Sequence, residues 1–128
     1  MREYKLESYG NLLLTRAAVG DNDGVRVVKL LIDTGSSYTI LPFEILEAIG
    51  SSPSLARERV GISTASGYII APAVRVEWFN CLGYRVDAFR VVSHTLPFST
   101  FIDGLLGMDF LTRIGAVINT SAKSIIVS

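Results

Sequence analysis

Residues 30–37 contain the side chains whose types and order are best suited to chemistry in this sequence. An apolar run ends at Ile32, and Asp33, Thr34 and Gly35 follow it directly. This order is typical of a buried strand that ends in a tight loop. The loop would hold one carboxylate at the rim of a core, where an aspartate needs hydrogen-bond partners or a chemical role. Such a carboxylate could act as a general acid or base, and the pattern occurs once in the chain.

Short apolar segments separated by turn residues predict mainly β elements around this loop. The predicted strands are residues 12–19, 25–32, 38–41, 59–64, 68–79, 84–92, 116–119 and 124–127. Short helices are predicted at residues 42–49 and 108–114, the first with Pro42 at its start and Gly50 just after its end. The chain has no internal repeat. The pattern therefore predicts an all-β barrel or sandwich with one or two short helices.

The composition limits the classes of protein to which the chain could belong. Its 128 residues are enough for one domain with one core, which we expect to span residues 1–128. Hydrophobic residues make up 49% of the chain and charged residues 19%, so an oligomer interface could cover surplus apolar surface. Twelve basic and twelve acidic side chains cancel. The charge therefore gives no reason to expect nucleic acid or an anionic membrane as a partner.

The sequence contains no obvious membrane or metal-binding signal. Its apolar runs are shorter than the roughly 18–20 residues of a membrane span, and residues 1–5 lack the apolar core of a signal peptide. Cys81 is the only cysteine and is interpreted as a small apolar filler or as a residue that flanks a turn. One cysteine and one histidine make a poor metal site. We expect a soluble cytoplasmic protein with no metal, no cofactor and no membrane segment.

Three sequence elements resemble those of retropepsin-like aspartic peptidases, a family found in retroviruses, bacteria and some eukaryotic proteins. The first is the triplet Asp33-Thr34-Gly35, and the second is a hairpin flap at residues 62–68 whose tip is typical of bacterial members. The third is the apolar pair and glycine at residues 105–107, followed by a short helix. The triplet alone is a weak motif, but the three elements follow the family's order from about residue 12 to residue 127. The resemblance implies a closed β-barrel of the acid-protease type with one or two short helices.

The resemblance also implies a reaction. Family members use two facing Asp-Thr-Gly loops, so a second copy of this chain would have to supply the second Asp33. Two close carboxylates share one proton, which makes one of them a base for the attacking water and the other an acid for the peptide carbonyl. The chain would then be an aspartic endopeptidase, active as a homodimer on polypeptide substrate in extended form.

Specific residues acquire roles through this resemblance. Asp33, Thr34 and Gly35 would form the catalytic loop, with Thr34 hydrogen-bonded across the two-fold axis and Gly35 allowing close approach to the carboxylate. Ser36 is expected to donate a hydrogen bond to the carboxylates. The substrate-binding residues would be Leu31, Ser36, Ala65, Ser66, Gly67 and Leu105. For Leu31 and Leu105, plain core packing is an equally good interpretation.

Two further acids could in principle supply a second carboxylate within the chain. Asp103 and Gly104 are better explained as a turn, and Asp109 as an acid in the first turn of a helix. Many retroviral members have an arginine after Gly107 that pairs with an acid following the triplet. This chain has Met108-Asp109 and Ser37 at those places. That ion pair is therefore missing, and the sequence does not explain what replaces it.

Two other functions are compatible with the same sequence. The fold could serve as a non-catalytic dimerisation or peptide-binding module, because fold does not determine function. Alternatively, the chain could be a generic β-barrel with a chance triplet, which predicts a monomer without a cleft at Asp33.

Overall fold

The fold consists mainly of β-strands. The computed structural model describes residues 1–64, 67–96 and 101–128. Its strands are β1 (Arg2–Lys5), β2 (Glu7–Tyr9), β3 (Leu12–Asp21), β4 (Gly24–Ile32), β5 (Ile40–Leu41), β6 (Glu58–Thr64), β7 (Gly67–Cys81), β8 (Tyr84–Ser93), β9 (Gly104–Leu106), β10 (Val117–Asn119) and β11 (Ser124–Val127). Within these residues the helices are α1 (Phe43–Ala48), α2 (Met108–Leu111) and a 3₁₀-helix at Pro53–Leu55. The prediction of an all-β fold with short helices is confirmed.

The larger sheet closes on itself. Its strand order is β2-β3-β4-β9-β5-β8-β7-β6, and an additional β3–β7 pairing joins two strands that are distant in this order. That pairing runs from Ala17 opposite Cys81 to Gly20 opposite Trp78. The ring therefore consists of β3, β4, β9, β5, β8 and β7, in this order. A separate sheet has the order β1-β11-β10, with β11 in the centre.

Three phenylalanines pack together in the main core. Phe79, Phe89 and Phe110 come from β7, β8 and α2, and their ring centroids lie 4.9–5.9 Å apart. Phe79 and Phe110 are fully buried, and Phe89 is almost so. Aromatic pairs at these distances add packing energy beyond their buried area. The cluster therefore attaches the short helix α2 to the wall of the ring.

A second apolar cluster lies under the hairpin formed by β6 and β7. Its buried members are Ile40, Ile62, Ala71, Ala73 and Val92. Leu105 and Tyr38 are partly buried and pack against this cluster. This small core therefore joins the hairpin to strands β5, β8 and β9.

The structure corrects several details of the predicted elements. Each predicted strand is present, with its ends shifted by at most two residues, whereas β1, β2 and β9 were not predicted. Helix α2 ends at Leu111 rather than at residue 114, and the chain continues as a turn. The predicted turn at Asp103 and Gly104 is wrong, because Gly104 begins β9. A Cβ atom at residue 104 would overlap the carbonyl oxygen of Ile40, so glycine is needed there for a close approach of two strands.

Cys81 is a core residue, as predicted. Its side chain is buried, and its Sγ donates a hydrogen bond to the carbonyl of Arg16 at 3.6 Å. Burial raises the pKa of the Cys81 thiol to about 12. The thiol therefore stays protonated near neutral pH and is a poor nucleophile.

In the part of the chain that the structure describes, no helix has the length and apolar character needed to cross a membrane.

Candidate active site

Asp33 lies at the end of two parallel strands. Strand β4 pairs with β9 from Leu30 opposite Gly104 to Ile32 opposite Leu106. The ladder continues one residue further, because the amide of Asp33 donates to the carbonyl of Leu106 at 3.0 Å. The side chain of Asp33 is half-buried. The pairing of β4 with β9 therefore fixes the position of the Asp33 backbone at the end of the sheet.

The loop after Asp33 folds back on the carboxylate. The amide of Gly35 donates to Asp33 Oδ1 at 2.9 Å, and the amide of Ser36 donates to the carbonyl of Asp33 at 3.2 Å. An ideal Cβ at residue 35 would lie 3.2 Å from Oδ1, which is tighter than most real contacts. Thr34, between them, is exposed. The triplet thus orients one carboxylate oxygen through a backbone donor and presents a hydroxyl residue to the outside.

The third predicted element, residues 105–107, lies directly beside this loop. The amide of Met108 donates to the carbonyl of Ser36 at 2.8 Å. A Cβ at Gly107 would overlap the carbonyl group of Tyr38. Gly107 is therefore the residue that lets the segment before α2 pass against the loop. Two motifs that lie far apart in the sequence form one continuous site.

Asp109 is not positioned as a second catalytic acid. Its Oδ2 accepts from the amide of Thr39 at 2.9 Å, and its Oδ1 accepts from Thr39 Oγ1 and from the amide of Phe110, both at 2.8 Å. The amide of Gly107 in turn donates to Thr39 Oγ1 at 3.2 Å. Asp109 lies in the first turn of α2, as predicted. Asp103 is also engaged, because its carboxylate accepts from the amide of Lys29 at 2.8 Å.

The Thr39–Asp109 contact lies close in the sequence to Ser37 and Met108, where the expected ion pair is missing. Thr39 is fully buried, and its backbone amide and its hydroxyl both donate to the same carboxylate. Sequence reasoning missed Thr39. The sequence does contain a signal for it, because Thr39 directly precedes the apolar pair Ile40-Leu41. A hydroxyl that is buried beside such a pair needs a hydrogen-bond partner. This contact connects the segment that follows the Asp33 loop to α2.

Replacing Asp109 with alanine should destabilise the fold and the loop together. The variant leaves the amide and hydroxyl of Thr39 buried without their acceptor, which should cost about 2–4 kcal/mol of unfolding free energy. Urea denaturation monitored by circular dichroism measures this loss. The matched control is Asp87→Ala, whose carboxylate pairs with Arg85 and is 75% exposed. Equal stability of the two variants would contradict a structural role for the Thr39–Asp109 contact.

The expectation for the Ser36 hydroxyl is wrong in this structure. Ser36 Oγ donates to the carbonyl of Tyr38 at 2.7 Å. Because a hydroxyl has one proton to donate, it cannot also donate to the Asp33 carboxylate. Ser36 instead stabilises the turn that follows the triplet.

The predicted substrate-binding residues occupy two regions. Leu31 and Leu105 are paired across β4 and β9, and both are half-buried. Leu105 also packs on the second apolar cluster, so part of its surface serves the core. Gly67 begins β7 with a φ of +121°, a conformation that favours glycine. Ala65 and Ser66 lie outside the described residues.

Comparison with known proteins is consistent with this site. A family model described as aspartyl protease matches residues 16–110, which include Asp33 and residues 105–107. Comparison with curated protein sequences finds no match. Among solved structures, the chain is similar to the crystal structure of a retropepsin-like aspartic protease from Rickettsia conorii, with 18% sequence identity and a TM-score of 0.70. That match covers 98% of this chain and 90% of the other. The chain therefore belongs to the aspartyl protease family and has a retropepsin-like fold.

Proposed function

We propose that the chain is an aspartic endopeptidase that acts as a homodimer and hydrolyses peptide bonds with a water held between two Asp33 carboxylates. The observation that carries the proposal is the Asp33 loop itself, with its backbone donor from Gly35 and its contact with the segment at Gly107. The other two acids considered, Asp103 and Asp109, accept hydrogen bonds elsewhere. We therefore assign the facing carboxylate to a second protomer.

The chemistry follows from placing two such carboxylates together. Like charges at close range cannot both ionise cheaply, so the pair holds one proton. The ionised Asp33 takes a proton from the water as it attacks the carbonyl carbon. The protonated Asp33 of the other protomer donates to the carbonyl oxygen, which gives a gem-diol intermediate. The first Asp33 then passes the water's proton to the amide nitrogen while the second takes a proton back from the gem-diol, and the C–N bond breaks to release the amine and the carboxylic acid. The two roles belong to the pair and not to a particular protomer.

The elements around Asp33 support a polypeptide as the substrate. The β6–β7 hairpin rests on the apolar cluster that also contacts Leu105, so it can cover the same face of the molecule. A hairpin in this position would pair with the backbone of an extended peptide and exclude water. Thr34, which is exposed beside Asp33, would then hydrogen-bond across the two-fold axis.

Mixing active and inactive chains tests the shared site. Wild-type and Asp33→Asn chains are combined in equal amounts at constant total concentration and allowed to exchange protomers before cleavage of an unstructured polypeptide is measured. If each site needs two Asp33 residues, activity should fall to about a quarter of the wild-type value, whereas independent chains would keep about half.

The corresponding mixture with Asp87→Asn controls for dilution and handling, and it should retain full activity because Asp87 is exposed on β8. A value of one half in the Asp33→Asn mixture would contradict the homodimeric site. If concentrated wild-type protein binds peptides but never cleaves them, the function is that of a binding module on the same fold.

A further inference from the structure

A row of paired residues crosses the sheet from the base of the β6–β7 hairpin toward the strands beside Asp33. Glu58 on β6 is opposite Ala73 on β7, and Ala73 is opposite Val92 on β8. Val92 is in turn opposite Ile40 on β5. Paired residues project to the same face of a sheet. Glu58 therefore lies on the face that carries the second apolar cluster, of which the other three residues are members.

Arg90 lies on the same face, at the edge of this cluster. It precedes Val92 by two positions on β8, and every second residue along a strand projects to one face. Tyr38 likewise precedes Ile40 by two positions. Because β5 and β8 are parallel and Ile40 is opposite Val92, Tyr38 reaches the level of Arg90. Strand β8 lies between the hairpin and β5, so the register places Arg90 between Glu58 and Tyr38.

The side chain of Arg90 contacts both of these residues. Its Nη1 lies 2.8 Å from Glu58 Oε2, and its guanidinium carbon lies 5.4 Å from the centroid of the Tyr38 ring. An arginine can make both contacts at once, because its planar guanidinium forms ion pairs at its edge and stacks with its face. The side chains of Arg90 and Glu58 are 35% and 46% exposed. Arg90 thus links the hairpin to the segment that follows the Asp33 loop.

A second arginine favours this orientation of Arg90. Arg75 on β7 is directly opposite Arg90 on β8, and like charges in this position repel each other. Arg75 Nη1 donates to the carbonyl of Ala88 at 3.0 Å. Because Arg75 is held by that carbonyl, the repulsion favours an Arg90 side chain that points toward Glu58 and Tyr38.

The backbone of Tyr38 belongs to the support of the Asp33 loop. Its carbonyl accepts from Ser36 Oγ at 2.7 Å, and a Cβ at Gly107 would overlap the same carbonyl group. The amide of Ser36 in turn donates to the carbonyl of Asp33. A shift of Tyr38 would therefore change the geometry of the loop that holds the Asp33 carboxylate.

We propose that Arg90 is a positioning residue that couples the base of the β6–β7 hairpin to the Asp33 loop. The coupling runs through the ion pair with Glu58 on one side and through the ring of Tyr38 on the other. Arg90 acts through these residues and not on the reacting atoms. This inference rests on the proposed function, in which the hairpin covers the peptide that Asp33 cleaves. The hairpin and the loop must then be held in one relative position.

Arg90→Met tests the proposal, because methionine keeps an unbranched apolar side chain and removes the charge. For a peptide with one cleavage site, kcat should fall by about 3–10-fold, as expected from the loss of one half-exposed ion pair and one cation–π contact. KM should change by less than about 2-fold, because the peptide loses no contact. Arg90→Lys keeps the charge beside Glu58 and should lose less of kcat. In a Tyr38→Leu background, Arg90→Met should have a smaller effect, because the two residues act through one contact.

Arg85→Met is the matched control. Arg85 also forms an ion pair, with Asp87 at 2.9 Å, and it also lies over an aromatic ring, 5.1 Å from the centroid of Trp78. Trp78 is opposite Gly20, at the end of β3 that lies far from Asp33. The kcat of Arg85→Met should therefore equal that of the wild type. A fall of the same size in both arginine variants would overturn the proposal.

Amide hydrogen exchange measured by NMR separates this inference from the proposed function, because it requires no cleavage. The amides of Gly35, Ser36 and Met108 form the hydrogen bonds that hold the Asp33 loop. Glu58→Gln changes only the hairpin side of the coupling. In this variant the three amides should exchange faster by about 3-fold or more, whereas the amides of β3 and β4 should keep their wild-type rates.

Unchanged exchange of the three loop amides in both Glu58→Gln and Arg90→Met would overturn the proposal. Exchange that rises equally throughout the ring would also overturn it, since the contact would then stabilise the fold in general. A wild-type kcat in Arg90→Met would overturn it even in a chain that is an active peptidase. If the wild-type chain cleaves no polypeptide but the loop amides respond as expected, the coupling is supported and only the proposed function is overturned.

Discussion

Asp33→Asn is expected to lower kcat/KM for peptide cleavage by about 10²–10⁴-fold or more, the range typical of losing a general acid–base group. An asparagine has nearly the same shape, and its side-chain oxygen can still accept the hydrogen bond that Gly35 donates to Asp33 Oδ1. The loop should therefore keep its conformation while the proposed homodimer loses both of its Asp33 carboxylates. Cleavage of an unstructured polypeptide, followed by mass spectrometry of the products, measures the effect.

The control for this variant is Asp87→Asn, which removes an exposed carboxylate on β8. It should retain wild-type activity. Thermal unfolding of the Asp33→Asn chain should occur close to the wild-type temperature, because the substitution preserves volume and the backbone donor. Residual cleavage near the wild-type rate would exclude Asp33 from the reaction and with it the proposed mechanism.

Phe110→Ala is expected to reduce the free energy of unfolding by about 3–5 kcal/mol, the usual cost of deleting a buried phenylalanine. Phe110 is fully buried and packs edge-to-face against both Phe79 and Phe89. The cavity would open next to α2, close to Asp109 and its contact with Thr39 after the Asp33 loop. Activity should therefore fall even where the chain remains folded, since the loop loses its support.

Phe43→Ala is the matched control. Phe43 begins α1 and is 41% exposed, so its loss should cost about 1 kcal/mol or less. Urea denaturation of both variants measures the difference. If the two substitutions reduce the free energy of unfolding equally, the aromatic cluster does not hold α2 in place.

Local sequence patterns predicted the long strands β3, β4, β6, β7 and β8 well because these strands have seven or more residues over which a pattern can repeat. In β3 and β4, residues with side chains toward the core alternate with others over nine or ten positions, and alternation of this kind can be read without any tertiary information. Strand β9 has three residues and begins with Gly104. Glycine after aspartate is a turn signal, and only the close approach of the Ile40 carbonyl explains why glycine occurs within a strand.

The error at Ser36 has a similar origin. Its hydroxyl had two possible acceptors within a few residues, and sequence reasoning chose the carboxylate. The path of the chain from Ser36 to Tyr38, which passes against Gly107, places the Tyr38 carbonyl 2.7 Å from Ser36 Oγ. Local residue types cannot decide between acceptors that depend on how distant segments pack.

The sequence by itself determined that the chain has one Asp-Thr-Gly loop, because an apolar run followed by these residues is a local pattern. It also indicated the family, through three motifs in order. Only the tertiary structure decided what supports and surrounds that loop. Thr39 and Asp109 are 70 positions apart, and Arg90 meets Tyr38 only because the strands pair in one register. Contacts of this kind depend on strand register and closure of the ring, for which the sequence contains no local periodic signal.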